Sequence, residues 1–255
     1  WDFVDFPLKD ATLDEIVAWP MPSPDDFDYS HVTAQCSEHG EYAVYVGNPG
    51  LADCINSTGF LRSMEQVLID LITDEPAVLA YMDRKCAVQL AITERILEAA
   101  KGGVDFVWMG EDLGTQHAPL ISKKLYRKHI RPRHQPFVDL AKAYDLPVVL
   151  HSCGSSSWAY EDFIEMGIDV VDTLQPEAKD MSPRYLKQTY GDRLAFHGAI
   201  STAGVVAHGT VSETIVDVQQ TLDIMMPGGG YALSPTHMLQ DNSHLENVLA
   251  IYDTA

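Results

Sequence analysis

Short apolar, β-branched runs alternate with stretches of helical apolar spacing along most of this chain. That alternation constrains the fold more than any other feature. Residues 42–47, 104–109, 148–151, 170–174, 194–196 and 231–233 read as strands. Between and after them, apolar residues recur at helical spacing over 60–73, 77–100, 123–144, 158–166, 183–190, 210–226 and 245–252. Gly102-Gly103 stops the second of these helices, and Thr210-Val211-Ser212-Glu213 is a capping box that opens a later one. Strands alternating with helices at this spacing build βαβ units and a parallel sheet. No Gly-x-Gly-x-x-Gly follows a strand, so a dinucleotide-binding sheet lacks its fingerprint. An α/β (β/α)8 TIM barrel fits the repeat better, its amino-terminal one or two β/α units missing from the chain. The chain opens on Trp1-Asp2-Phe3, without Met, in a loop-like acidic stretch. The expectation is one barrel domain over 1–255, the carboxyl-terminal portion of a longer protein.

Composition narrows the partners. Lys and Arg total 17 against 37 Asp and Glu, a formal net charge of −20. Such a chain repels nucleic acid and anionic membrane surfaces. No apolar run approaches the ~20 residues that a bilayer span requires. Four Cys without a C-x-x-C pair do not make a disulfide framework, so a reducing cytoplasm is the expected setting. Cys36, Cys54 and Cys86 have no partner at ligand spacing and read as structural. Residues 10–29 are rich in Pro, Asp and Trp, which predicts an extended surface segment without regular helix. The basic run from Arg127 to Arg133, with His129 and His134, reads as a solvated helix face interrupted by Pro132.

Nearly every predicted strand ends in residues able to do chemistry. Glu111 and Asp112 follow the strand at 104–109, and Gln116 and His117 lie in the loop beyond. His151 and Cys153 end the strand at 148–151; two residues apart, they leave the same face. Gln175 and Glu177 follow 170–174, His197 follows 194–196, and His237 follows 231–233. In a barrel, the carboxyl ends of the strands converge on one mouth. Imidazole with thiolate suits zinc, for which His151 and Cys153 are two ligands and His237 the best third. Glu111, Asp112, Glu177 and His197 are the candidate catalytic groups. Gln116, His117 and Gln175 are the candidate substrate contacts.

The ordered set Glu111-Asp112-Leu113-Gly114-Thr115-Gln116, Pro119-Leu120-Ile121-Ser122 and Tyr126-Arg127 resembles the uroporphyrinogen decarboxylase superfamily. So do His151-Ser152-Cys153-Gly154-Ser155, Gln175-Pro176-Glu177-Ala178, Gly191-Asp192-Arg193-Leu194, Phe196-His197-Gly198 and residues 227–230. The resemblance implies a (β/α)8 barrel and one of two chemistries. The decarboxylases remove carboxylates from a tetrapyrrole without a metal. The methyltransferase branch holds zinc through a His-x-Cys and a later Cys, and works with a corrinoid protein. Here His151 and Cys153 match the His-x-Cys, and His237 stands near the place of the later Cys. The expected activity is therefore zinc-dependent methyl transfer to or from a small thiol, methoxy or methylamino compound, with a corrinoid (cobalamin) on a partner protein. A homodimer is compatible with it. The alternatives are a metal-free decarboxylase and a non-catalytic ligand-binding barrel. The residues expected at the mouth are mainly acidic or neutral, which is the wrong polarity for a polycarboxylate.

Overall fold

The computed structural model describes residues 5–255; the opening Trp1-Asp2-Phe3 lies outside them. In chain order the elements are helices α1 (Leu13–Ala18) and α2 (Val32–Glu38), strand β1 (Tyr45–Gly47), and helices α3 (Ile55–Arg62), α4 (Met64–Thr73) and α5 (Pro76–Ala100). Strand β2 (Phe106–Gly110) precedes a helical stretch made of α6 (Lys123–Leu125), one π-helical turn (Tyr126–Ile130) and α7 (Arg131–Ala143). Then come β3 (Val148–His151), α8 (Tyr160–Met166), β4 (Val170–Thr173), α9 (Pro183–Tyr190), β5 (Ala195–Ile200), α10 (Val205–His208), α11 (Val211–Met225), β6 (Tyr231–Pro235) and α12 (Leu245–Thr254). The strands form a six-stranded parallel sheet in chain order, β1-β2-β3-β4-β5-β6. This is part of a (β/α)8 barrel.

The chain forms two compact units, Trp1–Asp112 with Ile121–Val149, and Leu113–Leu120 with Leu150–Ala255. In the first unit β1 pairs with β2, Val46 opposite Val107. A cluster of Leu8, Ile16, Ala77 and Tyr81 packs α1 against α5 there. In the second unit β4 pairs with β5 and β5 with β6, so that Asp172, His197 and Ala232 stand side by side. Ile200, Val206, Val218 and Ile251 form a core beside these strands.

Two expectations are corrected. Residues 10–29 are not wholly extended, because α1 forms within them. Thr12 caps it, and the Glu15 carboxylate accepts from the Thr12 N–H at 2.8 Å. Pro20, Pro22 and Pro24 all follow Ala18, so they end the helix rather than forbid it. The basic face is also not uniformly solvated. His129 and His134 are buried, while Arg127 is exposed. The π turn adds a residue to the 3.6-residue repeat and rotates the buried stripe, which a fixed helical period cannot anticipate.

A buried ion pair ties the amino-terminal segment to the rest of this first unit. Arg62 Nε donates to Asp70 Oδ2 at 2.5 Å, and Arg62 Nη1 donates to the carbonyls of Leu8 at 2.6 Å and Ala11 at 3.1 Å. Removing one partner strands the other charge away from water. Arg62→Met is expected to lower the unfolding free energy by about 3–5 kcal/mol in urea titration. The Arg62→Met/Asp70→Leu pair is expected to recover most of that loss.

Candidate functional site

Strand β3 delivers His151 at its end, and the chain continues through Ser152, Cys153 and Gly154. Cys153 Sγ lies 3.3 Å from His151 Nε2. Ser152, buried between them in sequence, anchors the turn. Its N–H donates to the Asp172 carbonyl at 2.7 Å, and its Oγ accepts from the Leu113 N–H at 3.1 Å. The Ser155 N–H donates to the Thr115 carbonyl at 2.8 Å. These bonds draw the 113–120 loop onto the turn after β3. Both glycines at the crossing are required by contact. A Cβ on Gly114 would sit 2.3 Å from Ser155 N, and one on Gly154, at φ +71°, would sit 2.4 Å from the Gly114 carbonyl oxygen.

Asp172 organises the site, and sequence reasoning did not single it out. It is 5% exposed, inside β4. His151 Nδ1 donates to its Oδ2 at 2.6 Å, and His197 Nδ1 donates to its Oδ1 at 2.7 Å. Burial alone would raise the Asp172 carboxyl, but the hydrogen bonds from His151 and His197 outweigh it and hold the group below the ordinary carboxylate range. An acceptor-only carboxylate places the proton of each ring on Nδ1. In both rings, Nε2 is then the basic nitrogen, and in His151 that is the atom beside Cys153. The available signal was a lone acid in the run Val170-Val171-Asp172-Thr173. A charge there needs a partner, and two imidazoles supply it.

The other predicted residues separate into groups. Gln175, Gln116 and Gly154 meet: Gln175 Oε1 accepts from the Gly154 N–H at 2.6 Å and from Gln116 Nε2 at 3.3 Å. His117 is exposed in the same loop as Gln116, its N–H bonded to Thr115 Oγ1 at 3.3 Å. Glu177 is exposed, and its carboxyl is raised by partial burial first and by Asp217 after it. His237 is exposed and lines a cleft of about 240 Å³ with Gln175, Thr202, His208, Asn242 and Ser243. The lining carries amide, hydroxyl and imidazole groups and no Lys or Arg among the described residues. Among the described residues, His237 is not one of the donors gathered within 4.8 Å of one another around His151 and Cys153. The reason is local: the Thr236 N–H still donates to the Ile200 carbonyl at 2.9 Å, and β6 has already ended at Pro235.

Glu111 and Asp112 belong to the first unit. Glu111 is fully buried and faces the interior of that unit, where its carboxylate accepts from the N–H groups of Cys54 at 2.7 Å and Ile55 at 3.0 Å. Asp112 is half-buried and accepts from Asn56 Nδ2 at 2.8 Å.

His151 and Cys153 fit a zinc ion. Tetrahedral zinc with ordinary Zn–N and Zn–S bonds separates the two donor atoms by about 3.5 Å, close to the 3.3 Å between Nε2 and Sγ. The Asp172 carboxylate behind the imidazole completes the usual arrangement around a metal-binding His.

The chain belongs to the uroporphyrinogen decarboxylase (URO-D) family, whose model matches residues 56–255. No curated protein matches it. Among solved structures, a methyltransferase from Methanosarcina mazei is similar, with a TM-score of 0.62 and 19% sequence identity. The match covers 79% of this chain and 56% of the methyltransferase, so this chain spans little more than half of that protein's length. At that identity the likeness shows the fold. No helix among the described residues is long and apolar enough to cross a membrane.

Asp172→Asn is expected to destabilise the protein by about 1–3 kcal/mol in urea titration. An amide oxygen can accept from one ring, but the amide NH2 then confronts the N–H of the other.

Proposed function

We propose that the protein is a zinc-dependent methyltransferase. It exchanges a methyl group between a small thiol, methoxy or methylamino compound and a corrinoid carried on a partner protein. The observation that carries this reading is the 3.3 Å approach of Cys153 Sγ to His151 Nε2, with Asp172 bonded behind the ring. Family membership and the likeness to a methyltransferase support it.

Zinc at His151 and Cys153 would supply Lewis acidity, favouring the anion of a thiol or polarising an oxygen or nitrogen that bears the methyl group. The protein's own residues do the rest. Asp172 keeps the proton of His151 on Nδ1 and so presents Nε2 as a donor. His197, held by the same carboxylate, accepts or returns a proton at Nε2. The Gln116 and Gln175 amides orient the substrate's polar groups, and His117 and Glu177 contact it from the loops. The neutral, polar lining of the 240 Å³ cleft suits a small uncharged compound rather than a polycarboxylate. His237, on the loop after β6, is the candidate for a third protein ligand from the same unit.

Metal analysis of the purified protein is expected to show zinc that is lost from this site in Cys153→Ala. Asp172→Asn should weaken zinc binding about 10–100-fold while leaving the stoichiometry intact. Unchanged zinc content in Cys153→Ala would overturn the reading. His237→Ala, titrated with a competing chelator, should lose zinc affinity; an unchanged affinity would remove His237 from the ligand set.

A further inference from the structure

The first unit contains a second set of metal-binding side chains, remote in sequence from the His-x-Cys. Cys54 begins α3, Glu111 follows β2, and His134 sits on α7. One donor atom from each lies within 4.8 Å of the other two, and all three residues are buried. The 25-residue α5 adds Cys86, whose Sγ is 3.8 Å from Cys54 Sγ.

His134 is the telling member. It is 0% exposed, and neither Nδ1 nor Nε2 makes a well-formed hydrogen bond among the described residues. The groups it meets are the Ala52 backbone and Glu111 Oε2, 3.5 Å from Nε2. A fully buried imidazole with only these long or poorly aligned partners gives up much of the solvation of its two nitrogens. Beside it stands a fully buried carboxyl, Glu111, and beyond that Asp53, 7% exposed. The nearby cation, Lys85, spends its hydrogen bonds on the Asp53 carbonyl and Ser57 Oγ rather than on either carboxylate.

We propose that Cys54, Glu111 and His134 bind a structural zinc ion inside the first unit. One ion answers each anomaly: it takes the imidazole lone pair, balances the carboxylate and accepts the Cys54 sulfur, whose proton is released to solvent. The spacing agrees with the chemistry. Two ligands on tetrahedral zinc stand about 3.3 Å apart for a nitrogen and an oxygen. The observed separation of His134 Nε2 from Glu111 Oε2 is 3.5 Å. Thiolate, imidazole and carboxylate together select zinc over magnesium or calcium, which prefer oxygen alone. Complete burial leaves no place for a substrate, so the ion's work is to join the start of α3, α7 and the end of β2.

The test uses the full chain with the other site disabled. After dialysis against zinc, the wild type is expected to hold two equivalents per chain and His151→Ala/Cys153→Ser one. Adding Cys54→Ser or His134→Gln should take the remaining equivalent to none. Cobalt(II) gives a readout that needs no change in the first unit: the His151→Ala/Cys153→Ser protein should show a thiolate-to-cobalt charge-transfer band, and a chelator should abolish it and lower Tm. A metal-free His151→Ala/Cys153→Ser protein without that band would overturn the proposal, whatever the wild type binds. A wild type with a single equivalent that survives in His151→Ala/Cys153→Ser would instead sink the His151/Cys153 reading and leave this one standing.

Discussion

One buried carboxylate, Asp172, holds two imidazoles at once, and the candidate site follows from that arrangement. A charge at 5% exposure is costly unless it is fully bonded. Here His151 and His197 each donate an Nδ1 proton to it, at 2.6 and 2.7 Å. The depressed Asp172 pKa records the balance: hydrogen bonding to the ionised form exceeds the desolvation that opposes it. The consequence is chemical. With their Nδ1 positions occupied, both rings carry their basicity on Nε2, one beside Cys153 and one on His197, where it can exchange a proton.

The scaffold makes this geometry inexpensive. Parallel pairing of β4 with β5 sets Asp172 beside His197 in register, so a single residue slip would turn one of them to the opposite face. The turn after β3 is fixed by backbone and hydroxyl bonds through Ser152, and by glycines where chain crosses chain. None of these contacts touches a substrate. They hold the sulfur and the nitrogen at a spacing that suits a shared ion.

Glu111 follows β2, at a strand end where the sequence places a candidate catalytic group. Its side chain instead turns inward to cap α3, through the N–H groups of Cys54 and Ile55. Adjacent residues at a strand end point opposite ways, so the pair Glu111-Asp112 has to divide between interior and surface. The Cys54, Cys86 and His134 neighbourhood was hidden for a related reason: its members are separated by 32 residues or more, and no local spacing relates them.

The sequence by itself determined the α/β class, the order of the six strands with helices between them, and the two-residue spacing of His151 and Cys153. Each of these depends on local periodicity, turn chemistry or a two-residue spacing. Tertiary structure decided which carboxylate bridges two strands, the exposed position of His237 beyond the last strand, and the burial of His134. Those depend on strand register, on where β6 releases the chain, and on one extra residue in a π turn. A sequence pattern expresses which residues share a face of their own element; it does not express which faces meet.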